Sequence, residues 1–260
     1  MKNQNEIFRA ERSSRIAEYP EQEIDRAAQE FMRASTLPKY SYNFEWLGRP
    51  IIQYPQDIVA MQELIWMVRP DLIIETGVAH GGSLIFSASM LAQLDMCDAI
   101  AENRTLDPAK SARKVVGIDV DIREHNRAAI EAHPFSSRIQ LIQGSSVDPA
   151  LIETVKQIAS GFERVPVCLD SNHTHEHVRE ELELYAPLVS KGSYCVVFDT
   201  VIEELPDEYF PDRPWSKGDN PKTAVWDYLK DHPEFEIDQQ VHNKLLITVA
   251  RDGYLKRIAD

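Results

Sequence analysis

Three side chains have the type and spacing for chemistry on a bound oxygen: Asp170, His173 and Asp199. Asp170 and Asp199 each close a short apolar run, at 166–169 and 193–198, and both runs read as strands. Acids at the carboxyl ends of neighbouring parallel strands stand about 5 Å apart before side-chain reach is added. Two like charges that close repel each other unless a cation joins them. Hard carboxylate oxygens suit Mg²⁺, which keeps waters and takes few protein ligands. His173 follows Asp170 by three residues, which places an imidazole able to accept a proton on the first turn of the next helix. Asn172, His173, His175 and His177 also suggest a zinc set, but on a helix only 173 and 177 share a face. No matching cysteine or further histidine pair completes such a set, so His175 and His177 read as structural or solvent-facing.

A second constellation lies upstream, in R-P-D-L-I-I-E-T-G-V-A-H-G-G-S at 69–83. An apolar run ends at Glu75 and Thr76, a glycine turn follows, and a helical pattern begins at Leu84. This strand, turn and helix form the first βα unit of a doubly wound sheet. Gly77, Gly81 and Gly82 let the backbone approach a ligand, and the free N–H groups at the helix start favour a carboxylate or phosphate. The glycines run G-x-x-x-G-G, which is not the dinucleotide pattern. Asp119 ends the second strand, where an acid can accept both hydroxyls of a ribose. Ser145 and Ser146 follow the third strand and are placed to border an adenine.

The elements that position these groups alternate. Strands are expected at 72–74, closed by Glu75 and Thr76, and at 115–118, 139–142, 166–169 and 193–198, with helices at 57–67, 84–91, 124–133, 149–158 and 173–188. The polar stretch 95–114 reads as a loop or short helix. Such alternation argues a parallel sheet with right-handed crossovers and helices on both faces. Two runs at 235–241 and 245–249, around a polar turn at His242 and Asn243, read as an antiparallel edge hairpin and bring the sheet to seven strands. The stretch 207–220 is long and rich in aromatics and prolines, as lids are; Asn220-Pro221 then starts a helix. Residues 1–55 read as an arm and 56–260 as the catalytic domain. The arm starts with polar helices carrying a stripe of Ile16, Ile24, Ala27, Ala28 and Phe31. It ends in an ordered, non-helical aromatic segment, 37–55.

The net charge of −14 argues against nucleic acid, whose phosphates need clusters of Lys and Arg. Cys97, Cys168 and Cys195 lack ligand-like spacing, and the last two fall in strands as core residues. With no disulfide framework, no signal-like start and no apolar run of spanning length, a cytoplasmic chain away from membranes is expected. The apolar surface of the arm predicts a homo-oligomer.

The acid-x-Gly-x-x-x-Gly turn resembles motif I of class I S-adenosylmethionine (SAM) methyltransferases. The wider set Y-N-F-E-W-L-G-R-P-I-I-Q at 42–53, the 69–83 stretch, D-S-N-H-T-H-E-H-V at 170–178, Y-A-P-L-V at 185–189 and G-Y-L-K-R at 253–257 resembles the cephalosporin hydroxylase family, also described as rhamnosyl O-methyltransferases. That resemblance implies a Rossmann-like class I methyltransferase fold with a divalent-metal site. It makes Glu75, Gly77, Ala79, His80, Gly81, Gly82, Ser83, Asp119, Ser145, Ser146 and Asp170 cofactor residues. It implies Asp170, Asp199 and Thr200 as the metal set, and His173 where catechol-type enzymes carry a lysine base. Thr200 departs from the pattern, since an acid or amide is expected there; Glu203 and Glu204 are the acids close enough in sequence to substitute. The expected activity is a Mg²⁺-dependent, SAM-dependent O-methylation of a small-molecule hydroxyl, on a sugar or an antibiotic intermediate. The alternatives are a SAM-binding protein without catalysis, and a nicotinamide-dependent oxidoreductase or hydroxylase.

Overall fold

Where the sequence alternates apolar runs with amphipathic stretches, the computed structural model, which describes residues 3–260, alternates strands and helices. The arm holds α1 (Gln4–Ala17) and α2 (Glu23–Thr36), then a hairpin of β1 (Phe44–Trp46) and β2 (Arg49–Ile51). Next come α3 (Pro55–Val68), β3 (Leu72–Thr76), α4 (Gly82–Ala101), β4 (Lys114–Asp119), α5 (Glu124–Glu131), β5 (Ile139–Gln143) and α6 (Pro149–Ala159). Then follow β6 (Val167–Leu169), α7 (His175–Tyr185), β7 (Tyr194–Val197), α8 (Pro221–Asp231), β8 (Phe235–Ile237), α9 (Gln239–Leu245) and β9 (Tyr254–Arg257). The main sheet has seven strands in the order β5-β4-β3-β6-β7-β9-β8. The first five run parallel and β9 is antiparallel to both its neighbours. This is the expected class I methyltransferase architecture.

Strand β3 is buried at every residue, and its side chains serve two cores. Ile73 packs with α3 and α4 on one face, while Leu72 and Ile74 pack with α6, α7 and α8 on the other. That two-sided burial is why the parallel strands read as unbroken apolar runs. Cys168 and Cys195 are buried free thiols, and Cys97 is a half-buried one.

Four details differ from the sequence reading. Helix α4 continues to Ala101 through a stretch that reads as loop, because Asp95 and Asp98 on it are paired with Arg113 and Arg69. At 20 residues it is also long and apolar enough to cross a membrane by length and composition alone, yet most of it is buried against the sheet. The C-terminal hairpin is β8 with β9; α9 takes the end of the run read as the first strand together with the turn, and 246–249, read as the second strand, is irregular. The Asp238 side chain accepts from the Gln240 N–H to start that helix, and Val241, His242 and Leu245 turn inward at helical spacing. Strand β9 forms later in the chain, beside Gly253, where a Cβ would meet the Val197 carbonyl at 2.0 Å. In the arm the inward stripe is Ile16, Ala28 and Met32; Ile24 and Phe31 are 45% and 36% exposed, and Ala27 also faces outward. The Met1 and Lys2 portion of that reading lies outside the described residues. Finally, the 37–55 segment is ordered as expected but includes one short 3-10 turn, Tyr40–Asn43.

Candidate active site

The carboxyl ends of β3, β4, β6 and β7 meet at one crevice. After β3 the chain turns through Gly77, with φ 91°, where a Cβ would lie 2.1 Å from the Asp170 carbonyl oxygen. Only glycine allows the turn and the β6 loop to touch there. Asp119 holds the same turn from β4: its Oδ2 accepts from the N–H groups of Val78 at 2.8 Å and Ala79 at 3.3 Å. Two residues outside the sequence reading complete the clamp. Arg49 donates through Nε to the His80 carbonyl at 3.0 Å, and Asn126 donates to the Ala79 carbonyl at 2.9 Å. Glu75 is buried and accepts from the Ser83 hydroxyl. Burial pushes its pKa up to about 7, against the opposing effect of the Ser83 bond.

Asp170, His173 and Asp199 do come together. Each offers one ligating atom, and the three atoms lie within 4.8 Å of one another. His173 Nε2 is 3.1 Å from Asp199 Oδ2, and the imidazole meets the Trp215 ring edge-to-face at 4.7 Å. Asp199 has φ 55°, a left-handed conformation that turns the chain sharply as it leaves β7. His173 is not on the first turn of α7. The Asn172 side chain accepts from the Thr174 N–H and hydroxyl, forming a local turn that delays the helix to His175. The Asp170 pKa is raised well above the carboxylate range, first by burial and then by the negative charges of Asp199, Glu75, Glu181 and Asp57. Among the described residues none of these five acids is paired with Lys or Arg.

Thr200 does not join the cluster: it is fully buried and donates its hydroxyl to the Val249 carbonyl at 3.2 Å. Glu203 accepts from the Gly218 N–H and the Asn220 amide, and Glu204 pairs with Lys222, so both are engaged elsewhere. His175 Nδ1 lies 2.8 Å from the Thr223 hydroxyl, away from the cluster. His177 Nε2 lies 3.1 Å from Ser146 Oγ and 3.5 Å from buried Glu181. This ties the loop after β5 to α7, while the Ser146 carbonyl accepts from Tyr185. Ser145 stands beside it on the half-buried turn.

Two residues the sequence did not single out line a small cavity with Glu75, Ser83 and Asp170. These are Gln53 and Asp57. Asp57 is wholly buried and accepts from Thr248, the Val249 N–H and Tyr254; burial still raises its pKa to about 6. The aromatic and proline-rich composition of 37–55 was the available signal for Gln53, since it marked an ordered segment. A second cavity of about 410 Å³, between α2, α8 and α9, has Thr248 in its wall and lies away from the three-residue cluster.

The family model described as Rhamnosyl O-methyltransferase/CmcI matches residues 38–258. The chain belongs to that family. Curated relatives within it include rhamnosyl O-methyltransferases of Mycobacterium tuberculosis, 27% identical over 89% of each chain, and of Mycobacterium leprae, 26% identical over 82% of each chain. Among solved structures, a CmcI determined as Mg-SAM superposes with a TM-score of 0.55 at 19% identity, over 84% of this chain and 78% of that one. An apo TDP-rhamnose 3'-O-methyltransferase of calicheamicin biosynthesis superposes with 0.50 at 17% identity, over 100% and 97%. These structures share the fold. By family, this Rhamnosyl O-methyltransferase/CmcI chain is a SAM-dependent O-methyltransferase.

Proposed function

We propose that this enzyme methylates a hydroxyl of a small molecule, a sugar or natural-product intermediate, with a divalent cation held at Asp170 and Asp199. The convergence of Asp170, His173 and Asp199 donors within 4.8 Å, with no Lys or Arg to balance them, carries the reading. The donor set fits a hard divalent ion: two carboxylates and an imidazole in a half-buried crevice. A bound cation of this kind supplies charge that lowers the pKa of an acceptor hydroxyl.

The rest is done by the chain's own groups. The 77–83 turn, fixed by Asp119, Arg49 and Asn126, forms the cradle for the methionine end of SAM. Glu75 and Ser83 lie behind it. Asp119 Oδ1 and Oδ2 already accept backbone N–H groups. Its remaining lone pairs serve the ribose, with Ser145 and Ser146 at the adenine. His173 takes the acceptor proton at a ring nitrogen, oriented by Asp199 and by the edge of Trp215. Trp215 lies on the expected lid segment, which is tied down where Asp219 accepts from the His175 N–H at 2.7 Å. Positioning the acceptor oxygen in line with the transferred methyl supplies the remaining rate gain.

The cluster geometry also favours a second role for His173, as a third ligand to the cation. His173→Ala separates the two. A base loses about 10²–10⁴-fold in turnover with cation affinity unchanged, whereas a ligand loses cation affinity as well. The activity itself is tested by calorimetric titration with SAM and by turnover in EDTA. NADH binding with SAM silent, or full turnover in EDTA, would contradict the reading. The arm exposes Leu37, Tyr42 and Leu47 at 59%, 55% and 56%, which supports self-association. A monomer of 29.7 kDa by light scattering would refute that part.

A further inference from the structure

We propose that the side-chain oxygen of Gln53 completes the cation site at Asp170 and Asp199, replacing the second acid that position 200 lacks. This rests on the divalent-cation reading above.

Gln53 is only 7% exposed. Its amide nitrogen is 3.5 Å from Asp170 Oδ2, and its Oε1 is buried with no hydrogen-bond partner. Leaving a buried carbonyl oxygen unpaired is costly, so a built site that keeps one has a use for it. The residue stands in the small cavity with Asp170, Glu75 and Asp57. Its backbone is held on both sides, by the β1–β2 hairpin before it and by α3 after it. That fixes which way the side chain can reach. A half-turn of the amide exchanges nitrogen for oxygen beside Asp170. Neighbouring oxygens on one Mg²⁺, each about 2.0–2.1 Å from the metal, lie about 3 Å apart. The amide-to-carboxylate separation of 3.5 Å needs only a small closure to reach that.

The side chains at and just after position 200 are engaged elsewhere. The Thr200 hydroxyl points to Val249, Glu203 to Gly218 and Asn220, and Glu204 to Lys222. A neutral amide oxygen is also a hard ligand of the class a divalent ion accepts alongside carboxylates. The ligand missing after β7 is thus supplied by Gln53, which lies 117 residues before Asp170 in the chain.

The test is Mn²⁺ binding to the full-length purified protein without SAM or acceptor, read by electron paramagnetic resonance of the free ion. The wild type should bind Mn²⁺. Gln53→Met, similar in size but without the oxygen, should bind at least tenfold more weakly. Gln53→Glu should bind as tightly or more tightly, and Thr200→Val should stay within twofold of wild type. Thermal unfolding of each variant checks the fold. Binding by Gln53→Met within twofold of wild type overturns the proposal. So does a folded Gln53→Glu that binds tenfold more weakly, which keeps the test decisive even where the Met variant is unstable. A wild type as silent as Asp170→Asn overturns the cation reading and this inference with it. A wild type that binds while Gln53→Met is unaffected overturns only the inference.

Discussion

Two clusters of acid sit at opposite ends of the parallel strands, and they are built in opposite ways. On α4, Asp95 is 6% exposed, with Arg113 on one oxygen and Arg138, 2.5 Å away, on the other. Burial works to raise its pKa, but hydrogen bonds from Ser111, Arg138 and Arg113 outweigh burial and hold the carboxyl below its usual range. At the crevice, burial raises Asp170 and the surrounding acids raise it further. One fold therefore contains both a neutralised acid and an acid left for something else to neutralise. A buried charge survives when it is paired. At Asp170 no Lys or Arg of the described residues supplies the pairing charge, which is what the proposed cation would do.

The comparison breaks most sharply at Arg138, which is 2% exposed. Arg138→Met leaves Asp95 short of a buried partner and should lower stability by about 3–5 kcal/mol, read from the urea midpoint. A smaller loss would mean that Arg113 alone suffices. The next largest effect is a pH dependence at Glu75, whose folded pKa is about 7 against an ordinary 4.5. Protonation is easier in the folded state, so the stabilisation is fully present below pH 4.5. It is lost as pH rises through 7, by up to about 3 kcal/mol. Glu75→Gln should remove that slope from ligand-free protein. An unchanged slope would assign it to other groups.

Asp170→Asn should act opposite in sign to Arg138→Met. It relieves repulsion and should raise the stability of ligand-free protein by about 1–2 kcal/mol. The variant should also lose the stabilisation that Mg²⁺ gives the wild type, about 1.4 kcal/mol at ten times the dissociation constant. Thermal midpoints with and without Mg²⁺ measure both effects, and a destabilised variant would show that Asp170 is already satisfied within the chain. The smallest effect belongs to the solvated pair of Lys191 with Asp260, at 3.1 Å. Lys191→Ala should change stability by no more than about 0.5 kcal/mol, which sets the scale for ion pairs that water already serves.

Much of this was legible in the residues. The runs 72–74 and 115–118 declare themselves because burial on both faces keeps each residue non-polar up to the acid that follows. The convergence of Asp170, His173 and Asp199 followed from adjacent strand ends. What stayed hidden was long-range or dependent on a partner. Asp95 and Asp98 look like loop residues until Arg113 is folded against them. The α9 segment carries β-branched and polar residues that suit a hairpin, until the Asp238 cap and the inward Val241 and Leu245 decide for a helix. Gln53 approaches Asp170 across a separation that no local pattern encodes. Thr200 was visible as a departure, but only the packed Val249 carbonyl shows where its hydroxyl goes.

The arm is tied to the end of the chain. Asp25 on α2 accepts from Arg251 at 2.8 Å, across 226 residues, and Asp57 accepts from Thr248. On a ribosome adding about 5–20 residues per second, the first partner of that pair waits about 10–45 s for the second to be made. The Asp25 side of this clasp is therefore synthesised early and closed late, whereas Arg49 meets His80 and Asn126 much sooner. A nascent chain released short of Arg251 would carry the glycine turn and its Arg49 clamp but lack the ion pair that ties α2 down.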